Sequence, residues 1–163
     1  MAGSSRQIRD AVMTALADIT YDDEPAFVSI KGSTKGEFDG YPALRVLPSP
    51  EGLANVKSSM AQQDRTVSLS ILGHIELENK DPDPSVDVEK DAIDQMLDLT
   101  DLIVDRLDQV DFDNTLAVDT DTDTYIMNTE SGEWNWVVSG AGALLLFLVN
   151  VKVTYSKNMT SGT

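Results

Sequence analysis

Asp119, Asp121 and Asp123 alternate along the chain, and with Glu130 they come closest to a chemical motif. In a calcium loop of the EF-hand type, three carboxylates at odd positions and a glutamate at position twelve wrap one cation. Counted from Asp119, Tyr125 falls at the carbonyl position, Ile126 at the apolar position and Glu130 at position twelve. Thr124, however, stands where the sharp turn needs glycine, and β-like residues follow where a second helix should begin. Carboxylates with a period of two also describe the wet face of a strand. A cation site and a solvated acidic strand are therefore both open.

Other chemistries lack their parts. With no cysteine there are no disulfides, thiolate zinc sites or cysteine nucleophiles. A single histidine, His74, leaves Ser-His-Asp catalysis and histidine-rich metal sites almost without material. Gly140-Ala141-Gly142 is no phosphate loop, because it lacks the Gly-Lys-Ser/Thr ending and precedes a strand. No spacing among 28 acidic residues singles out a carboxylate pair for acid–base work, as a small hydrolase would need. The expectation is a protein that is not an enzyme and carries no cofactor.

Twelve basic against 28 acidic residues give a net charge of −16. Nucleic-acid backbones and anionic membranes are bound through lysine and arginine, so both are poor partners. Signal-like or membrane-spanning segments are not evident: the greasiest run, 141–149, is about half the length a bilayer requires. A protein working inside a cell, or in an assembly built there, is the expectation.

At 163 residues the chain is expected to be a single domain, with a core over about 5–156 and a frayed tail at 157–163. Ser4 and Ser5 can cap a helix that presents Ile8, Val12, Ala15, Leu16 and Ile19 on one face. Strands are expected at 26–31 and 41–47. The strongest alternation runs from Arg65 to Leu77, with His74 on its polar side and Gly73 as a candidate bulge. A long helix over 86–110 carries a broad stripe that includes Met96, Leu97, Leu99, Ile103 and Leu107. Two or three strands close the chain: one to Met127, a turn at 130–133, then 134–138. In the last, 143–149, both faces are apolar, the pattern of a strand covered on both sides.

The fold expected is α+β: a mostly antiparallel twisted sheet with two main helices packed on one face. Residues 48–64 are polar except for Leu53, Val56 and Met60, and are read as a hairpin arm or flap. These three, with Trp134 and Trp136 on one strand face, are candidate interface residues.

The order of elements carries a likeness. "RQIRDAVMTALADI" leads to "YPALRV", a long loop, "DRTVSLSILGHIEL", the helix "DAIDQMLDLTDLIVDRL" and the closing "ALLLFLVNVKVTYSK". Across about 5–156 this resembles the tail terminator, or tail-completion, proteins of tailed bacteriophages, the family of the lambda-type minor tail protein. The likeness implies a virion protein, assembled in the host cytoplasm, that caps the head-proximal end of the tail tube as a ring, a homohexamer. The ring would stop tube polymerisation and offer a docking surface to the head–tail connector, with DNA passing through its lumen without specific binding. Head–tail stopper or neck proteins are the nearest alternative, and a small calcium-binding adhesion module is the alternative from another class. The chain is longer and more acidic than the family pattern. On the terminator reading, removing residues 51–62 leaves a folded monomer and weakens ring assembly.

Overall fold

A computed structural model describes the backbone of residues 4–57, 62–77, 88–113, 122–139 and 142–158, and side chains over 5–50, 65–77, 90–113 and 144–155. The helix α1 (Ser4–Ala17) buries Ile8, Ala11, Val12, Ala15 and Leu16, the face its periodicity marks. A two-residue hairpin of β1 (Thr20–Tyr21) and β2 (Glu24–Pro25) follows. Its turn is Asp22-Asp23, both at positive φ (52° and 64°), a conformation short acidic side chains tolerate. The strand expected at 26–31 shrinks to β3 (Ser29–Lys31), which runs parallel to β4 (Ala43–Lys57).

From β4 the sheet is antiparallel throughout, through β5 (Gln62–Leu77), β7 (Gly142–Asn158) and β6 (Thr122–Ser139), in the order β3-β4-β5-β7-β6. The helix α2 (Val88–Asp113) packs on β5, β7 and β6, and α1 packs on β3, β4 and α2. The expected α+β architecture is therefore present, with both helices on one face of a mostly antiparallel sheet.

Along β7, Leu145, Phe147, Val149, Val151, Val153 and Tyr155 alternate into the core at 4% exposure or less. They meet Val67, Leu69, Ile71 and Ile75 of β5 and Leu99, Ile103 and Leu107 of α2. Gly73 interrupts this row, but it marks no bulge: the β5 register is continuous from 62 to 77. A β-carbon at Gly73 would collide with the Phe147 ring opposite it, so the glycine makes room for an aromatic side chain.

Several details depart from the sequence expectation. Residues 130–133 form no separate turn; they lie within β6, which absorbs them through a register shift between Ser131 and Trp134. Leu97 points out at 53% exposure, because its position falls beyond the edge of the α2 stripe. β7 is covered by helices on one face only, so Leu144, Leu146 and Leu148 on the other are half-buried. Strand pairing continues through Lys157 and Asn158, which lie in the segment expected to fray.

Candidate functional site

The sheet outruns its helices, and this sets the geometry of the candidate site. The 26 residues of α2 span about 39 Å at 1.5 Å each. The 17 residues of β7 span about 56 Å at 3.3 Å each. The described buried positions of β7 run from Leu145 to Tyr155, and backbone pairing continues to Asn158.

The extension is a hairpin arm. Beyond a register shift between Pro48 and Leu53, β4 resumes pairing with β5 from Leu53↔Val67 to Lys57↔Gln63. The shift absorbs Pro48 and Pro50, residues that cannot donate to a ladder. On the other side β5 pairs with β7 out to Gln62↔Asn158, and β6 joins through Thr122↔Lys157. Residues 48–57 and 62–64 are thus strand rather than structureless loop. Leu53 shares its register row with Val67 and Val153, and Val56 shares one with Asp64. Met60 lies outside the described residues.

The face of the sheet away from the helices divides in two. Toward the arm it is polar: Thr66 meets the Thr154 hydroxyl at 2.8 Å, and the Ser70 hydroxyl donates to Asn150 Oδ1 at 3.1 Å. Toward the other end it is leucine-rich, with half-buried Leu72, Leu144, Leu146 and Leu148. Among the described residues no helix covers either part.

A loop of residues 32–42 folds over one edge of this face. The Arg45 guanidinium donates to the carbonyls of Ser33 (2.6 Å), Lys35 (3.3 Å) and Gly36 (2.8 Å). The same group stacks 4.3 Å over the Phe38 ring, which lies 4.8 Å from His74. His74, on the polar side of its strand, is therefore half-buried. Burial, and then the Arg45 charge, holds its pKa below the usual 6.5, with the backbone of Leu72 and Ala43 opposing. Its Nδ1 has no hydrogen-bond partner among the described residues, nor has the buried Tyr155 hydroxyl. This cluster is a structural clasp: Arg45 satisfies loop carbonyls, and the aromatic rings fill the space between.

At the opposite, helical surface, Asp91, Asp94, Asp98, Asp101, Asp105 and Asp108 are exposed along α2 at spacings of three and four. Lys90 pairs with Asp94 at 2.9 Å, and the Tyr21 hydroxyl donates to Asp98 at 3.0 Å, which raises the tyrosine's pKa. A shallow depression of about 570 Å³ near the end of this ridge is lined by Asp105, Asp108, Asp111 and Phe112. Its carboxylates all come from one helix, so it does not oppose two carboxyl groups across a gap as glycoside hydrolysis requires.

The cation reading of Asp119–Glu130 falls only in part on described residues, and the two candidate ligands that do, Asp123 and Glu130, are too far apart to share one ion. Asp123 and Glu130 lie on one continuous strand, β6, seven residues and about 23 Å apart. Ligands of one calcium ion must all lie within about 2.6 Å of it. Asp119 and Asp121 lie outside the described residues. The register sets Trp134 opposite Phe147 and Trp136 opposite Leu145, in rows whose β7 members are core residues.

Near the base of the arm, a groove of about 220 Å³ is floored by Pro48, Val67 and Leu69 and rimmed by Arg6 and Arg9. Both guanidiniums lean on the single carboxylate of Asp10, at 3.9 and 2.8 Å. Sequence reasoning missed this groove, because its walls are about forty to sixty residues apart and only the packing of α1 on the sheet brings them together.

Compared with known proteins, the sequence matches no family model and no curated protein. No helix among the described residues is long and apolar enough to cross a membrane.

Proposed function

We propose that this chain is a structural subunit of the tail-terminator kind, closing into a ring at the head-proximal end of a phage tail tube. Its place is then the virion, and its partners are other copies of itself, the tube protein and the head–tail connector. The observation that carries this reading is the sheet that outruns its helices. Past the row of Tyr155 the strands pair on to Lys57, Gln62 and Asn158, and a strand end of this kind suits a surface completed by neighbouring subunits. The acidic ridge on α2 and the net charge of −16 suit a ring through which DNA slides without binding.

Native mass measured across protein concentration tests the proposal. A ring of six 17.8 kDa chains has a mass of about 107 kDa. Ring-sized particles that end purified tail tubes support it. A chain that neither forms rings nor caps tubes contradicts it. A mass that changes only on adding calcium points to the adhesion-module alternative.

A further inference from the structure

Among the described residues, both edges of the main sheet are open over part of their length, and they are open in different ways. On one side, β3 covers only the first three residues of β4. Past them, Pro48, Pro50 and the register shift interrupt the edge before regular pairing with β5 resumes at 53–57. Prolines and bulges are the devices by which sheets discourage added strands. The other edge is β6, eighteen residues long, without a proline and paired with β7 alone among the described residues; between register shifts at 122–125 and 131–134 it runs regularly over Tyr125–Ser131. A long edge of this kind is a template for another strand.

Charge separates the two edges further. β6 contains Asp123, Glu130 and Glu133 and no basic residue. Beside β4 stand Arg6 and Arg9, sharing one aspartate at the rim of the groove, and the arm segment 53–57 reads Leu-Ala-Asn-Val-Lys with no acid. Two β6 edges would repel one another, whereas a β6 edge and a β4 edge attract.

We infer that β6 of one copy adds to the outer edge of the β4 arm of the next, beside the Arg6–Arg9 groove, joining copies head to tail. The occupant of the open edge is a second copy of this chain, and the contact is heterologous, the kind that closes rings. This rests on the ring proposal and specifies its interface.

The test uses two edge variants of the full chain. Neighbouring strand residues turn their backbone N–H groups to opposite sides, so of Asn128→Pro and Thr129→Pro one removes an outward donor and the other a donor to β7. The variant whose thermal unfolding matches the parent is the outward one. Arg6→Glu/Arg9→Glu damages the other edge. Each is expected to weaken self-association by about tenfold or more. Mixed together, they are expected to form a discrete heterodimer, because each supplies the edge the other lacks. Rings that persist in both variants overturn the edge pairing and leave the ring proposal standing. A mixture that stays monomeric overturns the head-to-tail arrangement. A parent chain that self-associates neither in solution nor on tube ends overturns the pairing and the ring together.

Discussion

Under α1 and α2, the sheet is a close-packed layer in which six consecutive inward positions of β7 are at most 4% exposed and Gly73 is shaped to one phenylalanine ring. Past the helix ends the same strands continue as a ladder of backbone pairs, reaching Lys57, Gln62 and Asn158. The first region has its apolar partners within the chain. The second is described by its backbone pairing, with an open edge on each side among the described residues. Stability should therefore concentrate in the covered half and association in the uncovered half, and substitutions can pull the two apart.

The largest effect is expected in the covered half. Leu145→Ala or Ile103→Ala removes a fully buried side chain and should lower unfolding free energy by about 2–5 kcal/mol in urea titration. Gly73→Ala should cost about 1–3 kcal/mol by overpacking, and pairing it with Phe147→Leu should recover part of that loss. A harmless Gly73→Ala would mean the glycine does not set the fit.

Arg106 joins the helices: its Nε donates to the Ala15 carbonyl at 3.1 Å, and its guanidinium meets Asp18 at 3.3 Å. That satisfies a carbonyl at the C-terminal end of α1, where a cation also suits the helix dipole. Arg106→Ala should cost about 1 kcal/mol in the same titration.

The smallest effect concerns pH. His74 is held below its ordinary pKa of 6.5 when folded, so below that pH the unfolded chain takes up the proton first. Stability should therefore decline as pH falls through 6.5 toward the folded value. His74→Leu should flatten that slope in melts recorded above the carboxylate range, and an unchanged slope would contradict the clasp.

Periodicity made much of the covered half legible. Alternation from Val67 to Ile75 and the spacing of Leu99, Ile103 and Leu107 point at the core that forms. What sequence could not show depends on distant partners. Nothing local tells that Gly73 faces Phe147, or that Arg45 reaches back to three carbonyls and draws a loop over His74. Gly132 signals a turn, yet pairing with β7 holds the segment in a strand and converts the signal into a register shift. The acidic alternation at 119–123 looked like a metal loop because spacing alone does not reveal that Asp123 and Glu130 lie on one extended strand. The arm was legible as a hairpin from its position between two strands, but its continuation into β6 and β7 was not.

The most direct measurement compares native mass for the full chain and an arm-trimmed chain. Because Asn55 pairs with Arg65, replacing residues 56–64 by an Asn-Gly turn closes a shorter hairpin just past the row of buried Tyr155. The full chain is expected to assemble, and the trimmed chain to fold cooperatively yet remain a monomer at every concentration. A trimmed chain that assembles as well as its parent would contradict the division between a half that folds and a half that associates.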